Sequence, residues 1–280
     1  MQDRIQLDDG IHDIPNELYH SSSGISRSVL MQFKRSPYHY HKRFHNPDYV
    51  TPASTPALIM GDVVHTIVLE PHKADERYVI KPSFDRRTKA GKIEYEKFMC
   101  GVQGRMVIDQ DMLSQALKMG LSIRDHELAQ AVLKDARIEQ SIYFTHQETG
   151  LQCKVRPDIW NGTLVGDLKS TNDASYYAFQ RSALNYGYFL QAGMIYEALK
   201  SIEIIMEKFV FIAVEKEEPN AVAVYELDEE CIDYGVEQFN TLMMQLYECR
   251  MKESFPSYPF ATIALPKYAN YQQLGEVDHD

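Results

Sequence analysis

Apolar and polar residues alternate along the middle of the chain, which is the pattern of half-buried β-strands. The stretch from 139 to 169 predicts three consecutive strands, and two later apolar runs predict a further strand pair. The predicted strands are 139–147, 151–160, 163–169, Lys208–Glu215 and Ala221–Leu227. Asn161-Gly162 is the strongest hairpin signal among them, because this dipeptide suits the left-handed backbone of a two-residue turn.

Apolar residues recur at helical spacing on both sides of these strands. Thr55-Pro56 predicts a helix start, since Thr is a good N-cap and Pro is favoured in the first turn. The predicted helices begin at Ser26 or Ser28 and stop before Pro37, begin at Thr55-Pro56, and span 111–119, 125–136, 174–185, 187–200 and Asp228–Lys252. A basic, partly helical excursion over the site is expected at 72–105, and an extended segment at 253–270.

This order of elements predicts an α/β protein with a mixed central β-sheet flanked by helices on both sides. With 280 residues and no visible linker, we expect a single domain over 1–280. Residues 1–23 are expected to form an irregular lead-in, and 271–280 a loose tail.

Two carboxylates and a lysine lie on the predicted hairpin. If Asn161-Gly162 forms the turn, Asp158 pairs with Val165. Because alternate residues of a strand share a face, Asp158, Asp167 and Lys169 then point the same way. The two carboxylates become diagonal neighbours, roughly 7–8 Å apart at the backbone. An Asp-x-Lys triplet alone is common on strand surfaces, so the shared face is what favours a site.

These residue types suit metal-dependent phosphodiester hydrolysis. Mg²⁺ prefers oxygen ligands, which Asp158, Asp167 and the backbone carbonyl of Leu168 supply. A lysine two residues beyond a ligand, here Lys169, can orient a water or stabilise developing negative charge. Glu139 is a further candidate: a two-residue turn at Thr149-Gly150 places it on the same face, and a three-residue turn places it on the other. The sequence leaves both open.

The net charge of −11 is unusual for a DNA-binding protein, but it is unevenly distributed. Residues 1–196 carry 23 basic and 23 acidic side chains, so residues 197–280 supply all of the excess. Two stretches, Arg27–Pro47 and His72–Arg105, are rich in Lys and Arg, which favours phosphate contacts. The candidate DNA-binding residues of the second stretch are Arg86, Arg87, Lys89 and Lys92.

The four cysteines are scattered without a Cys-x-x-Cys pair, so we expect free thiols and neither a zinc site nor an iron–sulfur cluster. No run of about 18 apolar residues predicts a transmembrane helix. The first residues lack the apolar core of a signal peptide, so a cytoplasmic protein without membrane contacts is expected.

The motif Arg156-Pro157-Asp158, followed by Val165–Thr171 (VGDLKST), resembles the core of the PD-(D/E)XK nuclease superfamily. The resemblance is strongest to the RecB-like branch that includes RecE (exonuclease VIII) and phage exonucleases. It extends over most of the chain, through Gly24–Phe44, Pro56–Pro71, Ile138–Asp158, Tyr186–Leu199 and the FPSYPF and IALPKYA segments near the C-terminus.

The resemblance implies a restriction-endonuclease-like core and assigns roles to particular residues. It implies Mg²⁺, with Mn²⁺ as an alternative, held by Asp158, Asp167, the Leu168 carbonyl and His65. It makes Lys169 the catalytic lysine and places Gln191 beside the site to position that lysine or the DNA. The family tyrosine lies four residues after the glutamine, where this chain has Ile195; Tyr196 follows one residue later.

The function implied is a Mg²⁺-dependent exonuclease that degrades one strand of double-stranded DNA from its ends, 5′ to 3′. A single-strand annealing protein, a ring-shaped homo-oligomer and a role in phage or prophage recombination are implied with it. Two alternatives stay open. One is a structure-specific or sequence-specific endonuclease, and the other is a non-catalytic interaction protein with a degenerate nuclease fold. The displaced tyrosine and acidic balance favour the last, and the intact Asp158, Asp167 and Lys169 oppose it.

Overall fold

A mixed five-stranded sheet forms the centre of the computed structural model, which describes residues 5–85 and 87–265. Its spatial order is β10-β9-β8-β7-β4. The strands are β4 (Arg137–Ile138), β7 (Ile159–Asn161), β8 (Leu164–Thr171), β9 (Lys208–Glu215) and β10 (Val222–Glu226). β8 and β9 run parallel, and the other neighbours are antiparallel. The prediction of a mixed sheet is confirmed.

Two smaller sheets accompany it. The first has the order β1-β5-β6 and the second pairs β2 with β3 in parallel. Their strands are β1 (Gly10–His12), β5 (Ser141–Thr145), β6 (Gln152–Val155), β2 (Tyr78–Ile80) and β3 (Met106–Ile108). The excursion at 72–105 therefore leads into a strand pair that the sequence did not predict.

Several helices begin at conventional capping residues. Thr55 accepts a hydrogen bond from the Leu58 amide, and Asp228 accepts one from the Cys231 amide. The α-helices are α1 (Asn16–Ser21), α2 (Arg27–Arg35), α3 (Pro37–His45), α4 (Pro56–Leu69), α5 (Ala74–Arg77), α6 (Lys89–Cys100), α7 (Gln110–Arg124), α8 (Glu127–Leu133), α9 (Tyr176–Asn185), α10 (Tyr188–Ser201) and α11 (Glu229–Met251). None of the helices in the described ranges is both long and apolar enough to cross a membrane.

Helices cover both faces of the central sheet, as expected for this α/β class. Alternate side chains of β9 enter different apolar clusters because successive residues of a strand point to opposite faces. Phe209 and Phe211 pack with residues of α2, α10 and α11, while Val210 and Ile212 pack with residues of α4, α7 and α8. α10 and α11 meet at Gly193 and Gly235, where a Cβ on Gly193 would lie 2.2 Å from the Gly235 carbonyl carbon.

Several boundary predictions were wrong. The lead-in is not irregular, since it contains β1 and α1. Pro37 does not only end a helix: Ser36 adopts an extended conformation and caps a second helix, α3, that begins at Pro37. The predicted strand 139–147 is shorter in the structure, where it is β5 (Ser141–Thr145). Glu139, whose φ of 56° is left-handed, separates β5 from β4, and the two strands belong to different sheets. The tail at 271–280 lies outside the described residues.

Candidate metal-dependent active site

The hairpin between β7 and β8 places two acidic residues opposite each other. Asn161 pairs with Leu164 and Trp160 with Val165, so the turn is Gly162-Thr163 rather than Asn161-Gly162. The Asn161 side chain is engaged elsewhere, because its amide donates to the Lys134 carbonyl at 2.7 Å.

This register changes the expected geometry of the two aspartates. Continuing it one residue beyond the pair Ile159–Gly166 sets Asp158 directly opposite Asp167, not diagonal to it as the sequence predicted. Because the register differs from the predicted one by two residues, the side chains still share a face.

Glu139, directly after β4, extends this row of carboxylates by one residue. The pairs Ile138–Ile159 and Ile142–Val155 follow one continuous register through both sheets, which puts Glu139 opposite Asp158. The Glu139 amide donates to the Asp158 carbonyl at 3.2 Å. The loop that connects β5 to β6 is longer than either turn considered, since its flanking pair is Thr145–Gln152. The loop nevertheless sets a register that places Glu139 on the same face as Asp158, as the two-residue turn would have done.

His65 approaches the row from α4, which packs against β8. Its Nε2 lies 2.6 Å from the Leu168 carbonyl oxygen and 3.5 Å from Asp158 Oδ2. The Leu168 amide donates to Asp158 Oδ2 at 2.8 Å, so the Leu168 backbone contacts both side chains. One ligand atom each from His65, Glu139 and Asp158 lies within 4.8 Å of the others.

Lys169 and Gln191 hold the remaining carboxylate. Asp167 forms an ion pair with Lys169 and accepts a 2.5 Å hydrogen bond from Gln191 Nε2. Gln191 Oε1 accepts from Lys169 Nζ at 3.3 Å and from Arg27 Nη1 at 2.8 Å. The Lys169 ammonium also lies 4.7 Å from the centre of the Tyr188 ring. Arg27 was recognised only as part of a basic stretch, and Tyr188 was not singled out by the sequence.

Burial and neighbouring charges shift the pKa of three side chains in the site, namely Asp158, Glu139 and His65. Burial raises the pKa of Asp158 to about 7, with Asp167 and Glu139 adding to the shift and His65 opposing it. Burial likewise raises the pKa of Glu139. Burial lowers the pKa of His65, but the charges of Asp158 and Asp167 outweigh it, so the net shift is upward.

A divalent cation fits this environment. Carboxylate and carbonyl oxygens with one imidazole nitrogen form a donor set suited to Mg²⁺ or Mn²⁺. A cation among them would also compensate the charge that raises the Asp158 pKa.

Arg156 connects this cluster to the N-terminal segment. Its Nε lies 2.8 Å from Glu139 Oε2, and its Nη2 donates to the Ile14 carbonyl at 2.7 Å. Its Nη1 is buried and has no hydrogen-bond partner among the described residues. Arg156 belongs to the Arg-Pro-Asp motif, but the motif alone gives it no role; only its position two residues before Asp158 indicates one.

A basic groove opens beside the site. Its volume is about 330 Å³, and its lining includes Ser26, Arg27, Lys154, Arg156 and Gln191. The N-terminus of α2 lies at this groove, so its free backbone amides add to the positive potential.

Other candidate residues lie away from the carboxylate row. Tyr196 packs against the apolar cluster of α10 and α11, with the Lys200 ammonium 6.0 Å from its ring centre. Ile195 lines the basic groove instead. Arg87, Lys89 and Lys92 are exposed around the start of α6, where Arg87 pairs with Asp85 at 3.0 Å. Arg86 lies outside the described residues.

Residues 26–261 match the family described as "PDDEXK-like domain of unknown function (DUF3799)". The chain belongs to this family. The crystal structure of a presumed exonuclease from Eubacterium rectale superposes on this PDDEXK-like chain with a TM-score of 0.64 and 13% identity, covering 92% of this chain and 98% of that one. A phage-related exonuclease from Haemophilus somnus 129PT gives a TM-score of 0.32 and 13% identity over 82% of this chain and 96% of the other. No curated protein sequence matches the chain.

Family and fold agree with the resemblance seen in the sequence. The chain has the PD-(D/E)XK nuclease fold.

Proposed function

We propose that this protein is a Mg²⁺-dependent deoxyribonuclease that degrades one strand of double-stranded DNA from its ends, as RecE-like exonucleases do. The observation that carries the proposal is the row formed by Glu139 just after β4, Asp158 just before β7 and Asp167 on β8, with Lys169 bound to its last member.

The roles follow from the contacts. Asp158, Glu139, His65 and the Leu168 carbonyl would hold the metal, joined by Asp167. A divalent cation there would neutralise charge on the scissile phosphate and acidify a water. Lys169, kept in place by its contacts in the site, would orient that water or stabilise the charge that develops on the phosphate.

We propose that the Gln191 side-chain amide positions both Lys169 and the DNA-binding residue Arg27. Its nitrogen donates to Asp167, and its oxygen accepts from both Lys169 and Arg27. Because both side chains bind the same amide oxygen, this arrangement would fix the position of Lys169 relative to Arg27 in the basic groove.

The groove supports DNA as the substrate. Arg27 and Arg156, whose Nη1 has no hydrogen-bond partner in the part of the chain that the structure describes, are cationic donors suited to phosphate oxygens. The excess of acidic residues lies within 197–280, and the groove-lining residues named in the structure all precede that part of the chain. The exposed basic residues Lys89 and Lys92 are proposed as further phosphate contacts.

Attack from DNA ends rests on the RecE resemblance, and the fold relative from Eubacterium rectale is itself a presumed exonuclease. The 5′ to 3′ direction, a single-strand annealing partner, a homo-oligomer and cytoplasmic action belong to the same proposal.

The test compares the wild type with Lys169→Ala on two substrates in Mg²⁺: linear duplex labelled at its 5′ ends, and covalently closed circular DNA. Lys208→Ala is the matched control, since Lys208 is an exposed lysine on the adjacent parallel strand and pairs only with Glu226 among the described residues. We expect rapid label release from linear DNA alone, a loss of about 10²–10³-fold in Lys169→Ala, and full activity in the control.

Cleavage of the circle would instead indicate an endonuclease. Absence of cleavage in the wild type, or equal activity in Lys169→Ala, would overturn the proposal. Circular dichroism of each variant shows whether a loss of activity reflects a loss of fold.

A further inference from the structure

Two tyrosine rings lead from the carboxylate row to the protein surface. Tyr188 is the inner one, with the Lys169 ammonium 4.7 Å and the Arg27 guanidinium 5.9 Å from its ring centre. Tyr186 is the outer one: its ring centre lies 6.0 Å from that of Tyr188, the planes are 34° apart, and 61% of the residue is exposed.

The turn that carries these rings is rigid. Gly187 separates them with a left-handed φ of 69°, and a Cβ added there would lie 2.5 Å from Met31 Sδ. The Tyr186 amide donates to the Ser182 carbonyl at 2.9 Å, which ties the residue to the end of α9. The backbone that carries the exposed ring is therefore constrained before any ligand arrives, so stacking would cost little conformational entropy in the turn itself.

Charge on the inner side of the rings favours a nucleotide over a purely apolar ligand. Lys169 and Arg27 flank Tyr188, and both cations can bind phosphate oxygens. A base whose phosphate is held by these cations would extend outward, toward Tyr186. Cationic backbone contacts combined with an exposed aromatic face form the usual binding site for single-stranded nucleic acid.

We infer that Tyr186 is a base-stacking residue: it receives a nucleobase of the DNA strand close to the scissile phosphate, while Tyr188 supports it from below. This inference rests on the proposed nuclease function and adds to it a sequence-independent contact to unpaired bases. Stacking tolerates every base because each has a π-face, which suits an enzyme that degrades DNA without regard to sequence.

The test uses DNA duplexes with a short single-stranded end in which one base at a time is 2-aminopurine, whose fluorescence falls on stacking. Binding is measured with Ca²⁺ in place of Mg²⁺, and a gel confirms that the DNA stays intact. The variants are Tyr186→Ala, which removes the ring, Tyr186→Phe, which keeps it, and Tyr177→Ala. Tyr177 is the matched control: it is 76% exposed and lies at the opposite end of the same helix.

We expect wild type, Tyr186→Phe and Tyr177→Ala to quench one 2-aminopurine position, and Tyr186→Ala to lose the quenching and bind roughly 5- to 150-fold more weakly. Equal quenching and affinity in Tyr186→Ala, while the wild type cuts DNA in a Lys169-dependent manner, would overturn the stacking role and leave the nuclease function standing. Failure of the wild type to bind or cut DNA would overturn both. If Tyr186→Ala does not fold, Tyr186→Leu replaces it, since leucine keeps apolar bulk without a π-face.

Discussion

Ionisation of Asp158 should destabilise the metal-free protein at neutral pH. Its pKa lies at about 7 in the folded state, against an ordinary value of 3.8, mainly because the side chain is buried. The folded state therefore binds the proton more tightly than the unfolded state. The stabilisation that this proton gives the folded state is complete below about pH 4 and is lost as the pH rises through about 7. At about 1.4 kcal/mol per pKa unit, the raised pKa of Asp158 lowers the free energy of unfolding by at most about 4 kcal/mol as the pH rises over this range.

Asp158→Asn removes this ionisation while keeping an oxygen that can accept from the Leu168 amide. In the absence of divalent metal at about pH 8, we expect the variant to be more stable than the wild type by about 1–4 kcal/mol. Near pH 4 the difference should approach zero, because the wild-type carboxyl is then protonated in the folded state.

Urea unfolding in EDTA at the two pH values measures this difference. Asp233→Asn, on the exposed surface of α11, is the control and should change stability by no more than about 0.5 kcal/mol. A variant that is less stable than the wild type at pH 8, or equally stabilised at both pH values, would refute the reasoning. Adding Mg²⁺ should reverse the order, since the wild type gains binding energy that the variant lacks.

Three further results are expected. Mg²⁺ should raise the urea midpoint of the wild type, and His65→Ala should abolish most of that rise, because a ligand that binds only the folded state stabilises it; an undiminished rise would place the metal elsewhere. Gln191→Ala should lower the cleavage rate about 10-fold or more without unfolding the protein, since Lys169 and Arg27 lose their shared acceptor, and an unchanged rate in a kinetic assay would contradict this role. Gly193→Ala should lower the free energy of unfolding in urea by about 3 kcal/mol, because the new Cβ would lie 2.2 Å from the backbone of α11. Gly101→Ala is the control and should lower it by less than about 1 kcal/mol, because the nearest atom to its Cβ lies at 3.4 Å. Equal losses in the two variants would show that α10 and α11 separate freely.

The shared face of Asp158, Asp167 and Lys169 could be predicted from the sequence because it depends only on side-chain parity. The register itself could not, because it depends on a tertiary contact. The Asn161 side chain bonds to the Lys134 carbonyl, so the residue stays in the strand and the turn moves on by one position. Local preference favoured Asn-Gly in the turn, and the contact to α8 prevailed.

Glu139 shows a second limit of the sequence. Whether it reaches the site depends on the length of the loop between β5 and β6 and on a left-handed backbone at Glu139 itself. Neither can be inferred from apolar periodicity. The strand pair β2–β3 was missed for a related reason: each strand is three residues long, too short to show alternation.

The first residues of the chain are more than a covering of the core. The family match begins at residue 26, yet the Ile14 carbonyl is the acceptor that fixes Arg156, and Arg156 in turn holds Glu139. Shortening the protein to the matched region would leave both apolar clusters nearly complete, but it would remove the Ile14 carbonyl that binds Arg156. We expect such a shortened protein to lose activity through the displacement of Glu139, so activity assays should use a chain that keeps residues 5–25.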